Sequence, residues 1–391
     1  MPQLSDHELL GRLVAFDTTS WNSNLPLVDY LSDYLEGSGA RIYRMPSEDG
    51  TKANLAAVIG PARADREGLT LCGHTDVVPA MEPGWTSDPF RAVLSGDTIV
   101  GRGTADMKGF LALAVAAFVE TDSGSLDRPL ALLFTYDEEV GTRGARRLVE
   151  TGGTPEALPR RTIVGEPTSL TPARLHKGHL RARISIHGRA AHSGVPHVGR
   201  SAIEPAARVV VALAGLRRAL ESESPDHAAA FPQVPFVTLN VGTIQGGVAA
   251  NVIPDRCEVE LGARLLPGMD AGPLVARIEA AVAGAIGTTP YDIEVVGDSP
   301  PALLDETSDL WAWLSAESAQ ESGRSAEGGE GSTSVPFATD AGWLQELGFE
   351  CVIWGPGSIE VAHRANEFVP LEDLSRARAT IGRAIERWCG R

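Results

Sequence analysis

Cysteine is scarce in this chain, four in 391 residues, and Cys72, Cys257, Cys351 and Cys389 stand far apart with no Cys-x-x-Cys pair. That spacing argues against a thiolate zinc site or a disulfide scaffold and leaves four reduced packing residues. Positive charge is also short. Lys and Arg number 34 against 51 Asp and Glu, a net charge of −17, so neither nucleic acid nor an anionic membrane is expected as a partner. The longest apolar run, 110–119, is far too short to cross a bilayer. Met1-Pro2-Gln3-Leu4-Ser5-Asp6 has neither the basic nor the apolar segment of a secretory leader, and the expected location is cytoplasmic. Gly-x-Ser-x-Gly, His-Glu-x-x-His and a Gly-Lys phosphate loop are absent. Gly101-x-Gly103 meets Asp106 where a dinucleotide loop wants its third glycine.

What is present is a globular composition, 43% apolar and 22% charged, in a chain long enough for two domains. Ser5 with Glu8 forms a capping box ahead of a helix whose apolar face is Leu9, Leu10, Leu13 and Val14. A second helix carries Leu27, Val28, Leu31, Tyr34 and Leu35 and stops near Gly37. Short apolar runs at 54–59, 69–72, 130–134 and 162–164 alternate with helices at 110–119 and 142–150. That rhythm predicts a mostly parallel α/β sheet with its ligands at the carboxyl ends of the strands. From Gly178 the pattern changes to strand 180–187, helix 201–220, strands 236–244 and 256–265, helix 271–285 and strand 291–296. This βαββαβ order is that of a ferredoxin-like inserted domain. The expected division is 1–177 with 291–391 for the first domain and 178–290 for the insert. Residues 316–334, rich in Ser, Gly and Glu, read as a loop, 351–354 as a last strand and 371–388 as a closing helix.

Thr135-Tyr136-Asp137-Glu138-Glu139-Val140-Gly141 follows the apolar strand 130–134. Three successive carboxylates repel one another, which calls for a compensating cation. A solvated acidic loop is the alternative for the triplet taken alone. The rest of the chain supplies further ligand types just past strand ends or at a helix start: His74, Asp106, Glu166 and His363. Two imidazoles and three carboxylates, with Glu139, suit a pair of divalent ions of the zinc type sharing one carboxylate. Asp76 stands where it could hold the second ring nitrogen of His74.

His74-Thr75-Asp76, Gly101-Arg102-Gly103-Thr104-Ala105-Asp106-Met107-Lys108, Asp137-Glu138-Glu139, Gly165-Glu166-Pro167 and Ala362-His363 together resemble the dinuclear zinc aminoacylase/carboxypeptidase family. A closer likeness to its amino-acid deacetylases rests on Ala15-Phe16-Asp17-Thr18-Thr19-Ser20, Asn54-Leu55, Trp85-Thr86-Ser87-Asp88-Pro89-Phe90, Gly355-Pro356-Gly357, Glu360 and Glu367-Phe368-Val369. The resemblance implies a zinc-peptidase-like α/β domain with an inserted domain that serves as a dimerisation lid. It implies two zinc ions per subunit, replaceable by cobalt. Asp106 would bridge them, His74 and Glu166 would complete one, and Glu139 and His363 the other. Glu138 would be the general base, and Asp76, beside His74, is counted with it among the catalytic residues.

His192, in Ala191-His192-Ser193-Gly194, matches a histidine that holds the substrate carbonyl oxygen in a partner's active site. The implied complex is a homodimer through the inserted domain, with a small N-acyl amino acid as substrate. Asn251 and Arg264 match contacts to the substrate carboxylate, although an Arg on a small domain's strand equally suits a salt bridge. Thr339 and Asp340 match substrate-proximal positions, although Asp340 equally suits a cap on the helix that follows it. Gly355 and Gly357 let backbone approach the substrate or simply make a turn. The implied reaction removes an acetyl group from the α-nitrogen of an amino acid such as ornithine, in arginine biosynthesis. N-acetylcitrulline, succinyl-diaminopimelate, or broader acylamino acids and dipeptides are alternatives with the same zinc site. A non-catalytic binder on this fold predicts that a ligand or the base is missing, and none is.

Overall fold

The computed structural model describes residues 3–154, 156–322 and 333–390. The chain forms two units, Met1–Arg174 with Leu304–Thr333 and Thr339–Arg391, and Leu175–Leu303 with Ser334–Ala338.

The larger unit is built on a six-stranded sheet in the order Arg41–Pro46, Ala53–Ile59, Leu130–Thr135, Leu69–His74, Arg161–Val164, Glu350–Ile353. The last four run parallel, and the first two are antiparallel to their neighbours. Strands Ala53–Ile59, Leu69–His74 and Leu130–Thr135 are buried along their whole length, as the continuous apolar runs require. Arg41–Pro46, by contrast, was not evident from the sequence. It is half-exposed, carries two arginines in six residues and ends in proline, the composition of an edge strand rather than of a buried one.

Helix Asp6–Val14 starts with the expected capping box. Ser5 N donates to Glu8 Oε2 at 2.9 Å, and Glu8 N donates to Ser5 Oγ at 3.4 Å. Helix Gly109–Glu120 is buried on every side from Gly109 to Phe118, which is why it reads as an unbroken apolar run. Helix Leu371–Cys389 lays Leu374, Ala377, Ile381, Ala384 and Trp388 into the same core. The expected loop at 316–334 is helical in its first part, since helix Asp309–Ser322 covers it. Residues 323–332 of that reading lie outside the described residues. No helix among the described residues is long and apolar enough to cross a membrane.

The smaller unit has a four-stranded antiparallel sheet ordered Thr238–Gly246, Arg256–Leu265, Gly178–His187, Tyr291–Ser299. Helices Ile203–Glu221 and Ala271–Ile286 share a core with it, so the βαββαβ order holds, with the first and third strands central. Strand Gly178–His187 alternates buried and less buried residues, the period expected of a sheet covered on one face. The expected boundaries move. Tyr291–Ser299 pairs with Gly178–His187 from Tyr291↔Ile186 to Ser299↔His179 and cannot belong to the larger unit. Leu175–His176 pairs with Ala302–Leu303 and Ser334–Val335, which carries the division back to 175 and on to 303.

Candidate metal centre

Parallel strands align their carboxyl ends, and three of these ends supply the site. His74 closes one strand, Asp137-Glu138-Glu139 follows the next, and Glu166 lies two residues past Arg161–Val164. Asp106 enters from the turn before helix Gly109–Glu120, and His363 from the loop after Glu350–Ile353, in a left-handed conformation with φ 60°.

Four of the five expected ligands meet at hydrogen-bond distance, and Glu166, buried beside them, is close enough to feel the charges of Asp106 and His74. His74 Nδ1 lies 2.9 Å from the Asp76 carbonyl oxygen, which can only accept, so in the neutral ring Nε2 carries the lone pair. Nε2 faces Asp106 Oδ1 at 3.0 Å. The other oxygen of Asp106 is 3.3 Å from His363 Nε2, which lies 3.0 Å from Glu139 Oε1. Donor atoms of His74, Asp106 and Glu139 all fall within 4.8 Å of one another. Two donors each about 2.0–2.1 Å from one tetrahedral ion stand about 3.3 Å apart, so these separations fit a shared cation.

Charge makes the same case. His74, Asp106 and Glu166 are almost fully buried. Burial, then repulsion from Asp106, raises the Glu166 carboxyl well above its usual range. Burial and the Glu166 charge do the same to Glu138. Glu139 is pushed up to about 7 by burial and by Asp106. Burial opposes the charge on Asp106, but its hydrogen bonds to His363 and His74 hold it low. Those bonds to Asp106 and Glu139 push His363 up to about 10. Burial works against the His74 proton, yet Asp106 and the neighbouring carboxylates keep it well above the ordinary imidazole range. Four carboxylates thus face two imidazoles, and even two protonated rings leave negative charge uncompensated. The donor set fits divalent cations held by nitrogen and oxygen.

The acidic triplet divides. Asp137, also left-handed at φ 55°, turns to Lys52, which donates to it and to the Ser20 carbonyl. Glu138 and Glu139 face the cluster. Asp76 behaves differently from expectation: its carboxylate oxygen is 3.7 Å from His74 Nδ1, and it is the Asp76 backbone carbonyl that takes the ring N–H. The carboxylate instead accepts the backbone N–H of Glu138 at 3.0 Å and of Glu139 at 3.3 Å, and the Ser20 hydroxyl at 2.7 Å. The motif at Ala15 to Ser20 braces this turn. Thr18 Oγ1 donates to the Thr75 carbonyl at 2.6 Å, and Val77 N to the Thr18 carbonyl at 3.1 Å.

Thr339 is buried and its hydroxyl accepts the Ala341 N–H at 3.1 Å, opening helix Ala341–Glu346. Asp340 does not cap that helix with its side chain. It accepts the Thr135 hydroxyl at 2.5 Å, and its other oxygen is buried without a partner. A Cβ at Gly355 would stand 2.5 Å from the Gly165 carbonyl oxygen, and Gly357 has φ +81°, so packing inside the chain already requires both glycines. His192, Asn251 and Arg264 belong to the smaller unit. There His192 pairs with Val252, its Nδ1 accepts the Gly194 N–H at 3.0 Å, and Asn251 O accepts from Ser193 N. Arg264 lies opposite His179 and Thr238 in the sheet. Sequence reasoning gave no individual role to Arg102 or Glu367, and it did not foresee the bond of Asp340 to Thr135. The signal for Arg102 and Glu367 was their place inside the quoted motifs, as charges in otherwise apolar or glycine-rich runs.

This fold and donor set define a metal-dependent amide hydrolase. The chain belongs to peptidase family M20/M25/M40, whose pattern matches residues 70–387. It is 38% identical over 387 residues to the acetylornithine deacetylase of Myxococcus xanthus, covering 97% of each chain. A metallo-carboxypeptidase of the same family from Sulfolobus solfataricus superposes with a TM-score of 0.77 at 16% identity, over 98% of this chain and 99% of that one. A Bacillus subtilis protein described as a dinuclear metal-binding peptidase of the family gives 0.68 at 16% identity, over 98% of each.

Proposed function

We propose that the chain hydrolyses the amide of N2-acetyl-L-ornithine to ornithine and acetate, using two zinc ions that cobalt can replace. The full-length likeness to an acetylornithine deacetylase supports the substrate. The observation that carries the metal assignment is the splitting of Asp106, one oxygen toward His74 and the other toward His363. On this reading Asp106 bridges, His74 and Glu166 complete one ion, and Glu139 and His363 the other.

When bound, such ions polarise the amide carbonyl and acidify an attacking water. Glu138 is the carboxylate of the cluster not committed as a ligand. Its backbone is held by Asp76, and its raised proton affinity suits taking a proton from the attacking water and delivering it to the leaving amine nitrogen. His192 is proposed to hold the carbonyl oxygen, and Asn251, Arg264, Thr339, Gly355 and Gly357 to contact the substrate. A homodimer formed through the smaller unit and a cytoplasmic setting belong to the same proposal.

Glu138→Ala is expected to lower kcat by about 10²–10⁴-fold or more with both zinc equivalents retained on metal analysis. Loss of zinc would mean that the roles of Glu138 and Glu139 are reversed. Zinc-loaded protein is expected to hydrolyse acetylornithine faster than acetylcitrulline or succinyl-diaminopimelate, and the opposite order overturns the substrate.

A further inference from the structure

We infer that Glu367 is a positioning residue of the metal centre, its carboxylate fastening the backbone of Asp106 to the loop that carries His363. The inference rests on the proposed two-metal reading. Glu367 is 1% exposed, and its Oε1 accepts two adjacent backbone N–H groups, from Ala105 at 3.0 Å and Asp106 at 3.1 Å. Its Oε2 accepts Arg102 Nη1 at 2.7 Å. Arg102, equally buried, is anchored in turn by the Pro79 carbonyl at 3.0 Å and Glu82 at 2.7 Å. The two loops are also stitched through backbone, since Gly101 N donates to the Glu367 carbonyl at 2.9 Å and Phe368–Pro370 pairs with Thr98–Val100.

Glu367 is four residues from His363, and Asp106 is the carboxylate that meets both imidazoles. A small displacement of either loop would move the shared ligand relative to both proposed ions at once. The hydrogen bonds of Glu367 go to Arg102 and to the Ala105 and Asp106 backbone, so its hold on the centre is exerted through the Asp106 main chain. The double acceptance also explains why this position needs a carboxylate. Glutamine has one acceptor oxygen, and its amide NH2 must oppose either Arg102 or the two backbone N–H groups, so half of the clamp is lost.

The test is zinc binding to metal-stripped protein by chelator competition, together with the visible spectrum of the cobalt-loaded form, which reports ligand geometry independently of turnover. Wild type is expected to take up two equivalents. Glu367→Gln is expected to bind zinc about 10–100-fold more weakly and to show an altered cobalt spectrum. Wild-type affinity with an unchanged spectrum overturns the inference. Should that variant not fold, Arg102→Lys, which keeps the charge but loses the two-pronged donor, is expected to weaken zinc in the same direction, and wild-type affinity there overturns it. Wild-type protein that binds no zinc overturns the metal reading itself, a different result from a clamp without effect.

Discussion

Asp76 illustrates how one side chain organises several others. Its two oxygens collect the backbone N–H groups of Glu138 and Glu139, so the proposed base and a proposed ligand hang from the same carboxylate. Asp76→Asn puts a donor against one of those donors and is expected to reduce kcat by about 10–100-fold. An unchanged kcat would remove Asp76 from the machinery. The ligand types at strand ends were legible in the sequence because motif and position coincide. The partner of the Asp76 carboxylate was not, since it is set by a loop 62 residues away, and neither was the Asp340 bond to Thr135 across 205 residues. A second residue lies outside the metal centre. His176 is fully buried with Nδ1 donating to the Lys177 carbonyl at 3.0 Å, and burial, opposed by that bond and aided by Arg264, pushes it down to about 4 from 6.5. The unfolded chain takes up this proton below pH 6.5 and the folded chain only near 4, so the stability is complete above 6.5 and is lost as pH falls toward 4. The loss at pH 4 is about 3 kcal/mol. Denaturant titrations of His176→Gln are expected to show a flatter decline across this window, and an identical decline would assign it to other groups.

At the scale of elements, what the sequence reveals depends on how one-sided each environment is. Buried strands and the all-apolar helix Gly109–Glu120 are legible because a single composition fits them. Arg41–Pro46 is not, because its edge position tolerates polar residues and its strand state comes from pairing with Ala53–Ile59. Tyr291–Ser299 was recognised as a strand, and only its pairing with Gly178–His187 shows that it ends the smaller unit. Asn54 joins elements in a way that composition cannot show. From inside a buried strand its Nδ2 donates to the Gly144 carbonyl at 2.9 Å, and its Oδ1 accepts the Tyr136 N–H at 3.2 Å. It therefore ties the antiparallel side of the sheet to both ends of the acidic loop. Asn54→Ala removes both bonds and leaves the buried Tyr136 N–H without its acceptor, and is expected to cost about 1–3 kcal/mol on denaturant unfolding; a loss below about 0.5 kcal/mol, the level of an ordinary surface change, would show the bonds to be replaced by water.

For the molecule as a whole, the two units have separate hydrophobic cores, and every proposed metal ligand belongs to the larger one. Ions that bind only the folded centre stabilise it by mass action, about 2.7 kcal/mol per site at a hundredfold excess over Kd. They also relieve the repulsion among Asp106, Glu138, Glu139 and Glu166, which otherwise opposes closure of the strand ends. Removing metal should therefore loosen the larger unit selectively. Hydrogen exchange followed by peptide mapping, with and without a chelator, reads the units separately. Protection is expected to fall in Leu69–His74 and Leu130–Thr135 on chelation, and to stay unchanged in Gly178–His187 and Arg256–Leu265. Equal loss in both sets would mean that metal stabilises the chain as one cooperative block, and no loss in either would remove the cluster as a site of tight metal binding.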